Sequence, residues 1–397
     1  MQLPPLWQQP SHLPLGRRAT DDPARRTDTE GRHHDGSASV TATRKTSPSL
    51  SILNAIAQRW RVILGLLISV AFLVWALRQA SSFSAIAGAL RDANYLYAVP
   101  AVVVYFVGVW FRTLRWRVLL GPIRLIGASQ LFPIVVVGYM ANNVLPARLG
   151  EVVRAYILGE RASVSKSAVL ATIFVERTFD GITMILFMLV VGLTMRLDDT
   201  LSGILYSSAA LFVVALVVFV AIAAAPSRAV ALLGRLTRLL PSRVHSVVDQ
   251  IVARFVEGLG ALGSVGNVLA VLALSVAAWT AEAGMYLLLG LGFALPVGPS
   301  AYLLTTAVAN IGGMLPSSPG YVGTFEWFAT LALSAFGLQP DSALSYVLAL
   351  HALLLLPVTL LGFIYLWRLG ISLKVLTTAG AREARRPQAA GEGGGLL

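Results

Sequence analysis

Residues 204–225 read ILYSSAALFVVALVVFVAIAAA, a stretch without a single charged side chain. About 20 apolar residues are enough to cross the hydrocarbon core of a bilayer as a helix. Uninterrupted runs favour helices over a β-barrel, whose strands alternate apolar and polar residues. We therefore predict an all-α fold, a polytopic bundle of transmembrane helices. Further apolar runs lie at 62–77, 95–111, 171–193, 266–293 and 343–367.

Basic residues are distributed unevenly along the chain. Only 13% of the residues are charged, against about 25% in soluble domains. Of the 31 Lys and Arg residues, 27 lie in segments 1–61, 112–166, 226–264 and 368–397. Such loops face the cytoplasm, so we predict a multi-pass inner (plasma) membrane protein with both termini cytoplasmic. Arginine clusters in these loops favour lipid head groups as partners, not nucleic acid.

Composition divides the chain into three parts. Residues 1–58 are rich in polar residues and proline and lack apolar periodicity, which predicts a disordered cytoplasmic tail. Residues 59–375 form the predicted transmembrane domain, and residues 376–397 a second disordered cytoplasmic tail. Within the membrane domain, residues 228–260 have an amphipathic pattern. This pattern suits a helix on the membrane surface or a helix packed against the protein's own loops.

Two apolar segments are broken by proline and glycine. The run at 129–145 ends at Pro146 and is basic on both sides, so we predict a re-entrant hairpin over 129–159 that enters from the cytoplasm. Residues 300–338, broken at 316–320, form either a re-entrant hairpin from the opposite side or two short crossings. Broken segments in two inverted halves are typical of a transport site near the membrane midplane.

The first break carries a group of charged residues. Arg148, Glu151 and Arg154 surround Gly150, where the helix is interrupted. A guanidinium group suits phosphate oxygens, and the free amides at a helix N-terminus favour the same anion. The alternative is that both arginines anchor a cytoplasmic loop to lipid head groups.

Ionisable residues also lie inside apolar runs, where an unpaired charge is costly. Glu176, Arg177 and Asp180 share one helical face, which predicts either a functional cluster or an ion-pair network that fixes helix packing. Glu282, on one face with Trp279 and Tyr286, and Glu326 are isolated in their runs. Each predicts a proton or cation relay, or a protonated structural residue.

No sequence motif for soluble-enzyme chemistry is present. The chain has no Gly-Lys-Ser/Thr phosphate loop, no His-Glu-x-x-His and no Asp-rich metal motif. The absence of cysteine excludes thiolate catalysis and cysteine-bound metals. We therefore predict a protein that is not an enzyme and has no catalytic residue, metal or cofactor.

Several short motifs, taken together, resemble the lysylphosphatidylglycerol synthase transmembrane-region family, also called flippase-like. The resemblance covers roughly 60–370. The motifs are Arg112-x-x-Arg115-Trp116, Asn143-x-x-Pro146-x-Arg148-x-Gly150-Glu151-x-x-Arg154, Glu176-Arg177-x-x-Asp180 and Leu315-Pro316-x-x-Pro319-Gly320-x-x-Gly323-x-x-Glu326. Tyr321 stands where a further glycine is common in the family.

The resemblance implies a membrane domain that moves lipids between leaflets. It implies a phospholipid or a polyprenyl-phosphate-linked lipid as partner, and a homo-oligomer or a separate lipid-modifying enzyme as protein partner. No synthase domain is recognised, so the resemblance does not imply aminoacyl transfer. The two alternatives are a non-catalytic partner of a cell-envelope complex and an intramembrane transferase acting on polyprenyl phosphate. The candidate substrate-binding residues are Asn143, Arg148, Gly150, Glu151, Arg154, Glu176, Arg177, Asp180, Glu282, Pro319, Gly320, Gly323 and Glu326.

Overall fold

A computed structural model describes residues 83–145, 149–237, 242–315 and 318–371, together with Leu67, Val70, Ala71 and Val74. These ranges contain 12 α-helices and no strand, so the predicted all-α fold is confirmed for them. The helices are α1 (Phe83–Asp92), α2 (Ala98–Leu120), α3 (Ala128–Val144), α4 (Gly150–Ala162), α5 (Lys166–Gly192), α6 (Asp199–Ala224), α7 (Pro226–Thr237), α8 (Ser242–Gly258), α9 (Val265–Gly292), α10 (Pro299–Gly312), α11 (Thr324–Ser334) and α12 (Pro340–Arg368). Short 3₁₀ helices cover Tyr95–Tyr97, Gly260–Gly263 and Pro319–Tyr321.

Four long helices are apolar enough to cross a membrane. They are Tyr95–Leu120, Asp199–Ala224, Val265–Gly292 and Pro340–Arg368. Each contains all, or all but the last residue, of one apolar run read from the sequence, and α5, with 27 residues, contains most of another. The first predicted crossing, 62–77, lies outside the described residues except for four positions, and both predicted tails lie wholly outside them.

Both broken segments form helix–break–helix hairpins. In the first hairpin, α3 and α4 flank a break at 145–149, and their backbones almost touch, since a Cβ at Gly150 would lie 2.0 Å from the carbonyl oxygen of Gly138. In the second hairpin, α10 and α11 flank a break at 313–323, and Gly312 lies under the ring of Phe328. Both segments therefore fold as a helix, a break and a helix, whereas their re-entry into the membrane, the alternative of two short crossings at 300–338 and their inverted relation stay predictions.

The two breaks are close to each other. The turn at Pro319–Tyr321 packs on α3, where a Cβ at Gly320 would lie 3.6 Å from the carbonyl oxygen of Asn143. Asn143 Nδ2 also donates a hydrogen bond to Thr359 Oγ1 of α12 at 2.9 Å. Helix α12 thus runs beside both hairpins and holds their breaks together.

The amphipathic segment forms two helices, α7 and α8, and not one. Proline 241 lies between them in the sequence and has no backbone N–H to continue a helix. The end of α8 packs on α5, where Phe255 and Phe174 bring their ring centroids within 6.1 Å. Gly258 also lies against the Ala168 backbone. Of the two placements predicted for the amphipathic segment, packing against the protein itself is therefore the one found at the C-terminal end of α8.

Candidate functional site

Arg115 is the centre of a buried charge network. It lies on α2 with its side chain fully buried, and it contacts two carboxylates of α5. Its Nη1 donates to Asp180 Oδ1 at 2.6 Å and to Ser275 Oγ at 2.9 Å. Its Nη2 donates to Glu176 Oε1 at 3.3 Å. A planar guanidinium can bridge two carboxylates that are one helical turn apart, which an ammonium group does poorly.

Arg154 connects the first hairpin to this network. From α4, its Nη2 donates to Glu176 Oε2 at 2.8 Å. Its guanidinium also lies 4.1 Å above the ring of Trp116, and the Trp116 indole donates to Thr172 Oγ1 of α5 at 3.1 Å. The side chain is only 2% exposed. Arg154 is therefore already paired and stacked inside the protein and does not lie in an open groove.

Arg112 extends the network toward the second hairpin. Its Nη2 donates to Glu282 Oε2 at 2.5 Å, and its guanidinium lies 4.2 Å from the ring centre of Trp279. The Trp279 indole donates to Asp180 Oδ1 at 2.7 Å. Glu282 Oε1 accepts from Tyr286 OH at 3.4 Å and from Asn310 Nδ2 of α10 at 3.5 Å. The predicted shared face of Trp279, Glu282 and Tyr286 thus turns toward Arg112.

The accessible edge of the network is formed by Arg177 and Glu151. Arg177 Nη2 lies 3.2 Å from Asp180 Oδ2, and its Nε lies 3.7 Å from Glu151 Oε1. The two side chains are 27% and 23% exposed. Among the described residues, no hydrogen bond is made by Arg177 Nε. This Nε atom is itself buried, as are the unpaired Nε atoms of Arg115 and Arg154, so the exposed part of the Arg177 side chain lies elsewhere than at Nε.

The charges of the network balance. Burying an unpaired charge costs several kcal/mol, so partners inside the protein are required. Four guanidinium groups face four carboxylates, and each makes at least one ion pair with the opposite sign. We call these residues the arginine cluster. They are Arg112, Arg115, Arg154, Arg177, Glu151, Glu176, Asp180 and Glu282.

A further buried carboxylate, outside the arginine cluster, lies at the second break. Glu326, in the first turn of α11, accepts from the Gly323 N–H through Oε2 at 2.6 Å. Its Oε1 lies 2.6 Å from Nδ1 of His351 on α12. His351 Nε2 lies 2.7 Å from the carbonyl oxygen of Gly320. We call Glu326 and His351 the proton pair.

The predicted site residues fall into these two groups and the contact between them. Asn143 and Gly150 lie at the ends of the first break, where Gly150 N donates to Asn142 Oδ1 at 2.8 Å. Pro319 begins the turn that His351 holds. Arg148 lies outside the described residues, so its role stays a prediction. Glu151, Arg154, Glu176, Arg177, Asp180 and Glu282 belong to the arginine cluster, and Gly320, Gly323 and Glu326 lie around His351.

Three important residues were misplaced or missed from the sequence. The distribution of basic residues predicts that Arg112 and Arg115 lie on the cytoplasmic flank of a crossing. Helix α2 instead continues to Leu120 and buries both side chains. The spacing Arg-x-x-Arg-Trp, which places three side chains on one helical face, was the available signal. His351 was read as part of a plain apolar run, although a lone ionisable residue in such a run predicts a functional or paired group.

Comparison with known proteins identifies relatives of this chain. The sequence model of the lysylphosphatidylglycerol synthase TM region matches residues 62–362. A UPF0104 membrane protein of Methanothermobacter thermautotrophicus is 27% identical over 272 residues, which cover 64% of this chain and 79% of that protein. The protein named glycosyltransferase AglD of Haloferax volcanii is 28% identical over 345 residues, covering 76% of this chain. No solved structure matches.

The relationship to AglD corrects one prediction. The absence of soluble-enzyme motifs led us to predict that the chain is not an enzyme, and that prediction is overturned by a relative named as a glycosyltransferase. The absent motifs belong to soluble phosphate-binding enzymes and metal enzymes, so their absence says nothing about catalysis inside a membrane. The chain spans about half of AglD, 53% of its length, so the activity of the whole relative does not transfer directly.

Proposed function

The chain belongs to the lysylphosphatidylglycerol synthase transmembrane-region family, and we propose that it moves an anionic, lipid-linked head group between the two leaflets of a membrane. The observation that carries this proposal is the partly exposed side chain of Arg177 at the edge of the arginine cluster. A partly exposed guanidinium beside a broken helix, with a carboxylate partner as far away as 3.7 Å, suits a phosphate oxygen.

A phosphate would compete with Glu151 for Arg177. The contact between Arg177 Nε and Glu151 Oε1, at 3.7 Å, is the longest ion pair of the cluster. A phosphate that approaches Arg177 repels the Glu151 carboxylate and offers shorter, charge-assisted hydrogen bonds. Asp180, held from the other side by Arg115, keeps the Arg177 side chain in place while its partner is exchanged.

The buried part of the cluster would lower the cost of moving the head group. A charge near the bilayer centre costs about 2.5–3.5 kcal/mol when it is unpaired in a helix. Polar groups of the arginine cluster and of Asn310 extend from the first hairpin to the second. They are buried and paired in this structure, so in this proposal the hairpins move apart to offer them to the head group. The acyl or prenyl chains would stay in the lipid.

We further propose that both termini are cytoplasmic, as the distribution of basic residues favours. The cargo in this proposal is a phospholipid or a polyprenyl-phosphate-linked lipid. The name of the AglD relative supports a lipid that carries a sugar as one member of this class. A separate lipid-modifying enzyme would supply such a lipid, and a homo-oligomer is compatible with the same scheme.

The test is a flipping assay in proteoliposomes of defined lipids. Fluorescent phosphatidylglycerol, phosphatidylcholine and a polyprenyl phosphate are each offered, and dithionite reports the fraction exposed outside. We expect Arg177→Met to slow anionic-lipid flipping about 10- to 100-fold, which corresponds to one lost charge-assisted contact. Glu151→Gln, which removes the competitor, is expected to reach half-maximal rate at a lower lipid fraction.

The matched control is Arg254→Met. Arg254 forms an exposed ion pair with Glu257 at i, i+3 and 3.0 Å, the same spacing as Arg177 with Asp180. It should flip lipids at the wild-type rate. Equal rates for wild type and Arg177→Met would overturn the phosphate site. Arg148→Ala in the same assay tests the sequence prediction for that residue.

A second candidate function is transfer of a sugar to or from a polyprenyl phosphate, which the name of the AglD relative favours. Purified protein would be incubated with polyprenyl phosphate and nucleotide sugars, and the lipids analysed by mass spectrometry. A new glycolipid that requires the protein and is lost in Asp180→Asn would favour transfer. Flipping without any new lipid would favour the first proposal.

A further inference from the structure

His351 makes two polar contacts, one through each ring nitrogen, and together they determine how many protons His351 and Glu326 hold between them. Its Nε2 lies 2.7 Å from the carbonyl oxygen of Gly320, which can only accept a hydrogen bond. Nε2 must therefore carry a hydrogen. Its Nδ1 lies 2.6 Å from Glu326 Oε1. If Glu326 were ionised and the ring neutral, two lone pairs would face each other at this distance, so one more proton must lie between the two atoms.

That proton makes the proton pair electrically neutral. Either an imidazolium ion faces a carboxylate, or a neutral imidazole accepts from a carboxylic acid. Both arrangements contain the same number of protons, and both suit side chains that are only 7% and 4% exposed. Removing the proton leaves one buried negative charge and two repelling lone pairs, which the 2.6 Å contact cannot tolerate.

The charged residues of the helices around the proton pair lie at helix ends or belong to the arginine cluster. Among the described residues, Glu326 is the only charged residue of α11, and α3 and α10 carry none. The charged residues of α12 are at its two ends, those of α1 at its exposed last turn, and Glu282 of α9 and Arg112 of α2 are paired with each other. The remaining titratable side chains of the elements that pack around the pair are Tyr95, Tyr97, Tyr105, Tyr139, Tyr286, Tyr302, Tyr321, Tyr346 and Tyr365, together with Arg91, Asp92, Arg115, Arg117, Asp341 and Arg368.

We propose that Glu326 and His351 form a proton-binding site that holds one exchangeable proton and controls how the second break is held against α12. Proton loss sets the Glu326 carboxylate against the Nδ1 lone pair. The repulsion is relieved when the ring moves away or when its remaining hydrogen shifts to Nδ1, and either change weakens the hydrogen bond from Nε2 to the turn at Gly320. This turn packs beside Asn143 at the first break. A change of protonation therefore alters the contact between the two breaks, and lipid movement is coupled to proton movement. This coupling rests on the proposed flipping function; proton binding itself does not.

Proton binding is tested on the whole chain without altering the site. The chain has five histidines, and replacing His12, His33, His34 and His245 with glutamine leaves His351 alone. The ¹⁵N-labelled protein in nanodiscs is titrated by NMR, with infrared detection of the carboxylic acid band. We expect Nε2 to carry a hydrogen and one further proton to be shared by Nδ1 and Glu326 while both contacts are made, and this further proton to be released in a single step as the pH is raised. A neutral ring protonated only at Nδ1 beside an ionised Glu326 at neutral pH overturns the proposal.

Coupling is tested by measuring flipping and internal pH together. Wild-type proteoliposomes with a pH gradient should flip lipid faster in one direction and dissipate the gradient as they do so. In Glu326→Gln and His351→Gln, we expect the ratio of rates at about pH 6 and about pH 8.5 to fall to about 1. Ser345→Ala, which removes a hydroxyl bonded to Asp341 O on the same helix, is the control and should keep the wild-type ratio. A wild-type ratio in both site variants overturns the coupling, whereas absent flipping in every protein contradicts the proposed function instead.

Discussion

The arginine cluster and the proton pair both bury carboxylates between helices, but they neutralise them in different ways. In the cluster, Glu176 and Asp180 face guanidinium groups, which keep their charge at every physiological pH. At the second break, Glu326 faces the imidazole of His351, a group that, unlike a guanidinium, has both a neutral and a protonated form in proteins. The cluster therefore has a fixed charge, whereas the pair has an exchangeable one.

This difference assigns different tasks to the two regions. A fixed network connects α2, α4, α5 and α9, and it holds the first hairpin on the bundle throughout the physiological pH range. The proton pair fastens one turn of the second hairpin to α12 by a bond that depends on a single proton. Rigid support on one side and a releasable contact on the other would serve the lipid movement proposed above.

The largest effect should come from breaking the fixed network at Arg115. Arg115→Met leaves Glu176 and Asp180 without their shared partner in a fully buried place. Removing one side of a buried ion pair costs about 3–5 kcal/mol. We expect a loss of this size in thermal or denaturant unfolding of the detergent-solubilised protein.

Arg117→Met is the matched control for Arg115→Met, because Arg117 lies on the same helix but is exposed. It should change stability by no more than about 0.5 kcal/mol. If Arg115→Met and Arg117→Met unfold alike, the buried cluster does not stabilise the fold, and the comparison of the two regions fails.

The fold was largely predictable from the sequence because long apolar runs leave few choices. The apolar runs that make up most of α6, α9 and α12 are each long enough to cross a bilayer. The two hairpins were also predictable, since proline and glycine interrupt otherwise apolar segments. Helix α1 was not, because ten residues in a loop between crossings give too short a pattern.

The site was predictable in its parts but not in its pairings. Charged residues in apolar runs demand partners, and that argument found Glu176, Glu282 and Glu326. It could not identify Arg115 or His351 as the partners, which lie 61 and 25 residues away from Glu176 and Glu326. Arg115 does not stand out because the distribution of basic residues assigns the whole segment 112–166 to a cytoplasmic loop.

The next effect concerns the glycines of the two breaks, which are required for different reasons. A Cβ at Gly150 would lie 2.0 Å from Gly138 O and 2.5 Å from Asn142 Oδ1, so Gly150→Ala must push the first hairpin apart. Gly320 has room for a Cβ, but its φ of +70° is unfavourable for alanine. We expect the free energy of unfolding to fall by about 1–3 kcal/mol in Gly150→Ala and by about 1–2 kcal/mol in Gly320→Ala.

Gly203→Ala is the control for these glycine substitutions. Its Cβ would meet nothing within 4 Å, and alanine is favoured by up to about 1 kcal/mol over glycine inside a helix. Equal stability of Gly150→Ala and Gly203→Ala in unfolding experiments would show that the close backbone contact does not hold the first hairpin.

A smaller effect on stability should distinguish Glu326, paired with a histidine, from Asp180, paired with arginine, by its dependence on pH. Glutamine at 326 can donate to His351 Nδ1 and accept from Gly323 N–H without any shared proton. Near neutral pH, Glu326→Gln should cost about 1 kcal/mol, and the cost should disappear at alkaline pH, where wild type loses its proton. The cost of Asp180→Asn should stay constant from about pH 6 to about pH 9, since its partner Arg115 remains charged. Unfolding at several pH values measures both, and parallel pH profiles would contradict the distinction.

The smallest effect is expected where the two regions meet. Asn143 Nδ2 donates to Thr359 Oγ1, a neutral hydrogen bond between the first break and α12. A double-mutant cycle with Asn143→Ala and Thr359→Val should give a coupling free energy of about 0.5–1.5 kcal/mol in unfolding experiments. Because α12 also carries His351, we expect this coupling to fall when the proton pair is opened by alkaline pH. A coupling that is the same at neutral and alkaline pH would mean that the exchangeable contact at the second break does not reach the first.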